Sequence, residues 1–293
     1  NEQLIKYIEK KYPKIYQLKY AKIVLTAKQI QDKLSDNYTF LEYCNDGEQY
    51  YCIAISKNNI TYKVCGNKPY INTQINKHKQ TIQARNVTDS TGEKLTELLL
   101  PKETMENILI SADENIQQVV FDALPDPTTK KYIVYKHPIQ YVFSANTYFT
   151  KRTTDDNNNI VAFFPDFKHT EFDELNHTKE HNSLKSFSNY NVYYKNTALK
   201  NTFVQVIKNA GVIHVASHLI TDTLSPLKSY IVFQPNNDYK LTINEIWKLT
   251  TNAQLITLAA CQSNFGKQQY GEGMQNFAWA FNYAGAQNIL STQ

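Results

Sequence analysis

Glycine and proline are scarce in this 293-residue chain, at eight and nine residues, and their scarcity removes whole classes of protein. Collagen-like and low-complexity chains need many more of both. No G-x-G-x-x-G and no P-loop occurs, and no glycines cluster after a strand to let a phosphate approach the backbone. A nucleotide-binding α/β domain therefore fails on its residues. Cysteine is equally sparse: Cys44, Cys52, Cys65 and Cys261 are too few and too unevenly spaced for a disulfide framework or a zinc knuckle, which points to a reducing, cytoplasmic setting. There is no H-E-x-x-H and no carboxylate cluster with ligand spacing, so neither a metal nor a cofactor is expected. No apolar run approaches the roughly 18 residues that span a bilayer, and the opening "NEQLIKYIEKKYPKIYQ" has no signal-peptide core. No membrane partner is expected. The net charge of +4 is dispersed without a block of like charges, so nucleic acid is not expected as a partner either.

What the chain does have is Tyr, Asn and Lys in quantity, 42% hydrophobic and 20% charged residues, the balance of a soluble globular protein. Its length suits one large domain or two lobes of roughly 150 residues. Residues 1–20 place Leu4, Ile5 and Ile8 at helical spacing, which predicts a short amphipathic helix. "YTFLEYC" (38–44), "QYYCIAIS" (49–56) and "NITYKV" (59–64), split by turn-forming "NDGE" and "KNN", read as a β-meander. Residues 68–83 and 94–110 read as helices, and "IQQVVF" (116–121) and "KYIVYKH" (131–137) as strands around "PDPTT".

Polar, turn-prone "KRTTDDNNNI" (151–160) marks the boundary between an N-terminal lobe and a C-terminal domain. Beyond it the pattern becomes regular: strands at 160–164, 190–194, 211–216, 229–233, 254–260 and 287–291, helices near 171–185, 198–209, 242–249 and 272–284. One-sided helices alternating with strands predict an α/β sandwich on a mostly parallel sheet. In such sheets chemistry gathers outside the carboxyl ends of the strands. "GVIHVASH" ends on His218 and "LITLAAC" ends on Cys261. A free thiol is only a few per cent thiolate at neutral pH, and a neighbouring imidazole that takes its proton is the standard activator. Either residue alone could simply satisfy backbone groups; two strand ends delivering both is a nucleophile–base pattern. Tripeptide Ala259-Ala260-Cys261 followed by Gln262, with a His upstream, parallels the caspase signature.

The segments "HVASHLITDTLSPLKSYIVF" and "LAACQSNFGKQQYGEGMQNFAWAFNYAGAQNILS" resemble, in order and spacing, the A-[ST]-H-G, S-A-C-E-T-G, G-E-G and A-G-A motifs of the CHAT domain, the bacterial caspase-like and separase-related cysteine protease family. "LEYCNDGEQYYCIAIS" and "NIQQVVFDALPDP" resemble earlier family segments, so the resemblance covers nearly the whole chain. It implies a caspase-like αβα sandwich with a mostly parallel central sheet at 156–293, C-terminally incomplete relative to the family. It also implies an inactive, pseudo-caspase-like α/β lobe at 21–155 and, at 1–20, the stub of a helical sensor region. His218 matches the catalytic His and Cys261 the nucleophile. The oxyanion hole falls to the backbone N–H groups of Leu219 and Cys261, donors that need no reorganisation as charge develops. His214, on the same strand face as His218, matches a His common in relatives and reads as a packed strand residue.

Two departures from the family matter. Leu219 stands where Gly is usual, and Gly accepts backbone angles that cost Leu. Ala259 stands where arginine-preferring relatives of the caspase fold carry an acid, leaving Asp222 and Glu272 as weak candidates for meeting a basic substrate side chain; helix capping is the plainer role for Glu272. The expected activity is a cysteine endopeptidase acting on a protein substrate through a Cys–His dyad and gated by a helical-repeat sensor or regulatory protein. The alternative is a degenerate caspase-like scaffold that binds a protein partner without turnover. Cys44, Cys52 and Cys65 are expected to pack in or beside the early strands.

Overall fold

Parallel strands buried on both faces read as nearly continuous apolar runs, and "IVAFF" at Ile160–Phe164 is buried at every position. In the computed structural model the described residues are 6–7, 10–11, 24–84, 90–103, 106–149, 157–222, 224–260, 267–269 and 273–291. The chain divides into two units after Lys151. Most of the N-terminal helix expected at 1–20 lies outside the described residues.

The first unit carries α1 (Ala27–Lys33), β1 (Tyr38–Asn45), β2 (Gln49–Ser56), β3 (Ile60–Asn67), α2 (Lys68–Gln83), α3 (Thr91–Leu99), β4 (Asn107–Ser111), β5 (Ile139–Val142) and α4 (Ala145–Phe149). Its sheet runs β3-β2-β1-β4-β5. The meander β1–β3 is antiparallel, whereas β1/β4 and β4/β5 are parallel. One face packs Leu41, Tyr43, Cys52 and Cys65 against Ile71 and Ile75 of α2 and Leu95 and Leu99 of α3. The other packs Phe40, Ile55 and Leu109 beneath Ile30 and Leu34.

Three expectations for this unit need correction. The helix expected over 94–110 is α3 followed by β4. Leu100 ends α3 in extended backbone, Pro101 follows, and "NILIS" is an almost wholly buried strand, a pattern that apolar runs share with buried helices. The strands expected at 116–121 and 131–137 are short 3₁₀ turns, Glu114–Gln118, Phe121–Ala123 and Ile133–Tyr135. Their place beside β4 is taken by β5, so tertiary context overrides their β propensity.

The second unit has β6 (Ile160–Phe164), α5 (Thr178–Leu184), β7 (Tyr190–Tyr194), α6 (Lys200–Val206), β8 (Val212–Ala216), β9 (Leu219–Ile220), β10 (Tyr230–Val232), β11 (Lys240–Thr242), α7 (Ile243–Ile246), β12 (Leu255–Ala259), β13 (Lys267–Gln269), β14 (Gly273–Gln275), α8 (Phe277–Ala284) and β15 (Asn288–Ser291). The five-stranded sheet runs β15-β12-β8-β6-β7 with every pair parallel. Phe203 of α6, Ile243 and Ile246 of α7, and Phe277 and Phe281 of α8 pack on one face with Phe163, Val215 and Leu258. Leu184 of α5 packs on the other with Ala162, Phe164 and Ala216. Helices on both faces of a parallel sheet make this an α/β unit. The helix expected over 171–185 is confined to α5, and residues 165–177 form a long loop instead.

Gly211 sits where the amino ends of three strands meet. Its N–H donates to Asn159 O at 3.1 Å, its carbonyl accepts from Gln254 N at 2.7 Å, and an added Cβ would collide with the Asn157 carbonyl. Backbone cannot yield as a flexible side chain can, so Gly211→Ala should destabilise the protein by about 1–3 kcal/mol, read as a lower urea midpoint. An unchanged midpoint would show that the start of β6 is free to shift.

Candidate active site

In a doubly wound sheet the crevice opens where successive connections leave in opposite directions. Here β6 is followed outward by β7 on one side and by β8 on the other, so the carboxyl ends of β6 and β8 flank that point. His218 follows β8, and the loop 165–177 follows β6. The two meet. His218 Nε2 lies 2.7 Å from the Asp173 carbonyl oxygen. Its ring stands edge-on to Phe167 (centroids 4.6 Å apart, 62°) and stacks on Phe172 (5.7 Å, 25°). A carbonyl can only accept, so Nε2 carries a hydrogen. In the neutral ring this is the Nε2–H tautomer, with Nδ1 left for another partner.

The register of β8 and β12 matters most for the partner. Leu255 pairs with Val212, Thr257 with His214 and Ala259 with Ala216, a constant offset of 43 residues, and Ser217 N extends the ladder by donating to Ala259 O at 3.3 Å. The same offset separates His218 from Cys261 in the sequence. Side chains alternate along a strand, and His214, Ala216, Thr257 and Ala259 occupy the α5 side of the sheet, where Ala216 and Ala259 pack and His214 meets Phe164. Cys261 and Glu272 lie outside the described residues, as does the N–H of Cys261.

Leu219 occupies an ordinary extended position. It opens β9, pairs with Ile231, buries its side chain in the α6–α8 core and is not among the residues with positive φ. Gly's conformational range is therefore not needed here. Val232 N donates to His218 O at 2.9 Å, which makes 218/232 the hydrogen-bonded pair and 219/231 the non-bonded one. The Leu219 N–H consequently points away from β10, toward the edge of β9 that has no strand partner among the described residues. Of the remaining candidates, the Asp222 carboxylate accepts the N–H groups of Leu224 (3.0 Å) and Ser225 (2.7 Å), a turn-stabilising role. Ala259 packs beside Phe164 and Ala216 and offers no charge.

Sequence reasoning passed over a cluster on the α5 face. His177-x-x-Glu180-His181 puts polar groups on one helix face, and Glu180 Oε2 lies 3.6 Å from His214 Nε2 and 4.0 Å from His177 Nδ1. His214 Nδ1 meets Thr257 Oγ1 at 2.5 Å, across the β8/β12 pair. The H-x-x-E-H spelling is also a zinc-peptidase pattern, but His181 turns to stack on Tyr194, and no group of three donors suited to a metal occurs among the described residues. Burial holds the His214 and His177 imidazoles below their ordinary pKa, with Glu180 pulling the other way.

The first unit offers no comparable pair among its described residues. Its 520 Å³ cleft, bordered by Thr61, Tyr62, Lys63, Pro101 and Lys102 among others, contains no imidazole or thiol. Burial raises Glu42, bonded by Ser111 Oγ, to about 7, and pushes the Cys52 and Cys65 thiols up to about 12. Those two cysteines pack as expected, and Cys44 is half-buried.

A family model, the CHAT domain, matches residues 83–293. This chain belongs to the CHAT domain family. The family is related to caspase-like cysteine peptidases, and the match includes His218 and Cys261 together with much of the first unit. It begins after the early hairpins at 38–56, so their resemblance to the family lies outside the matched residues. Comparison with curated proteins gives no match. Among the described residues no helix is long and apolar enough to cross a membrane.

Two outcomes follow from the local electrostatics of this CHAT protein. Folded His177 and His214 are harder to protonate than unfolded ones, so the unfolded chain takes up more protons as pH falls through about 6.5. Stability should be full above that pH and decline on acidification toward 5.5, and His214→Gln should flatten the decline in urea-unfolding midpoints. An equally steep decline in both His214→Gln and His177→Gln would refute it. Separately, Cys52 and Cys65 should resist iodoacetamide at pH 7 until the protein is unfolded, as peptide mass mapping would read; labelling of either in the folded protein would contradict their burial.

Proposed function

We propose that the second unit is a cysteine endopeptidase acting on a protein substrate, with Cys261 as nucleophile and His218 as general base and acid. The observation that carries this reading is the β8/β12 register, whose offset equals the spacing of the two residues, together with an imidazole already fixed by its Nε2–H. His218 Nδ1 takes the thiol proton while sulfur bonds to the scissile carbonyl carbon. The resulting oxyanion is met by the backbone N–H groups of Leu219 and Cys261. When the C–N bond breaks, Nδ1 returns the proton to the leaving amine; water, deprotonated by the same nitrogen, then cleaves the thioester and frees the sulfur. No metal takes part in this scheme.

Because Ala259 is uncharged and the Asp222 carboxylate is engaged in its own turn, the reading assigns neither a strong role in holding a basic substrate residue; Glu272 stays the open candidate. The inactive-lobe role of 21–155 and gating by a helical sensor or regulatory protein belong to the same proposal and rest on the family.

Iodoacetamide at pH 7 should label Cys261 in preference to the other three thiols, and His218→Ala should slow that labelling by about 10- to 100-fold, since it removes the group that holds the thiolate. Any protein substrate identified by proteomics should be processed by the wild type and left intact by Cys261→Ala. Labelling of Cys261 that is indifferent to His218, with no processing, would leave the scaffold reading in its place.

A further inference from the structure

Among the described residues, the aromatic backrest of His218 comes from the loop 165–177, some forty residues away in sequence. Two of its phenylalanines and the Asp173 carbonyl converge on the ring. Thirteen residues without regular structure do not hold such an arrangement unless their ends are tied. At the first end, Asp166 N donates to Gln234 Oε1 at 2.7 Å and Gln234 Nε2 donates to Asp166 O at 2.9 Å. Within the loop, Thr170 Oγ1 donates to Phe167 O at 2.7 Å and accepts from Phe172 N at 3.2 Å, which sets the two phenylalanine rings edge to face at 5.7 Å. At the other end the chain returns on His177, which is buried, lies against Phe164 at 5.2 Å and has Nε2 3.2 Å from the Pro165 carbonyl oxygen. One side-chain hydrogen bond thus joins the last residue of the loop to its first.

We propose that His177 is a positioning residue: by donating Nε2–H to the Pro165 carbonyl it closes the 165–177 loop and so keeps Phe172 and the Asp173 carbonyl against His218. The inference rests on the reading of His218 as the base, and it identifies what fixes that base. The thiol's activation then depends on a residue that touches neither sulfur nor substrate. Phe172 is the second part of the device, half-buried between His218 and Tyr239. A ring free to turn would sample both tautomers and lose its alignment, and misplacement of about 1 Å can cost on the order of 100-fold in rate.

The test uses the whole chain labelled with ¹⁵N-histidine. Two-bond ¹H–¹⁵N spectra of the wild type at pH 8 should show His218 as the Nε2–H tautomer alone. His177→Ala should give averaged His218 nitrogen shifts and a drop of about 10-fold or more in the Cys261 alkylation rate. His177→Gln, whose amide can donate to the same carbonyl, should restore both. Phe172→Ala should mimic His177→Ala without touching the loop closure, and His177→Phe, which keeps a buried ring but lacks the donor, serves in place of His177→Ala if that variant does not fold. A single unchanged Nε2–H tautomer of His218 in the His177 variant that folds would overturn the proposal. Wild-type alkylation that ignores His218 would instead sink the peptidase reading, and the tautomer measurement would still decide the role of His177.

Discussion

The parallel pairing of β8 with β12 is the constraint on which the proposed chemistry of the second unit depends. A parallel ladder has no turn to set its register; packing sets it, and a slip of one residue would send every side chain on the strand to the opposite face. Here Ile213 and Val215 on β8, with Ile256 and Leu258 on β12, are locked into one core with Phe203, Phe277 and Phe281. The opposite faces carry the His214–Thr257 contact. Apolar burial on one side and a polar cross-strand bond on the other specify the same alignment, and that alignment makes the offset of His218 from Cys261 meaningful.

Around this ladder the sheet order does the rest. Because β7 and β8 flank β6 on opposite sides, the carboxyl end of β6 lies where the connections diverge. The loop 165–177 therefore reaches His218 directly. The β9/β10 pair turns the chain immediately after His218, and its bonding alternation leaves the Leu219 N–H outward. The imidazole and the neighbouring backbone donor come from one stretch of chain, 218–219, and the aromatic backrest from another, 165–177.

The two units differ in their electrostatics in a way that bears on function. In the first, thiols are driven toward the neutral form by burial, and Glu42 shares that fate; these groups behave as core. In the second, the His218 ring is only half-buried, with Nε2 on the Asp173 carbonyl.

The strands of the second unit were legible because apolar, β-branched runs of five residues bounded by polar turns leave little freedom: 160–164 and 190–194 agree with the structure residue for residue, and β8, β12 and β15 to within a residue or two at either end. Family membership was legible from the same segments. Where runs were apolar but ambiguous, as at 94–110 and 116–137, local propensity could not say whether a helix, a strand or a 3₁₀ turn would win, because the answer depends on which neighbour fills the next slot in the sheet. Likewise His177, Phe167 and Phe172 carried no visible signal. The sequence by itself determined which side chains sit at strand ends and therefore which could do chemistry; tertiary structure alone decided the register, the tautomer of His218 and the loop that holds it, since each rests on contacts between residues far apart in the chain.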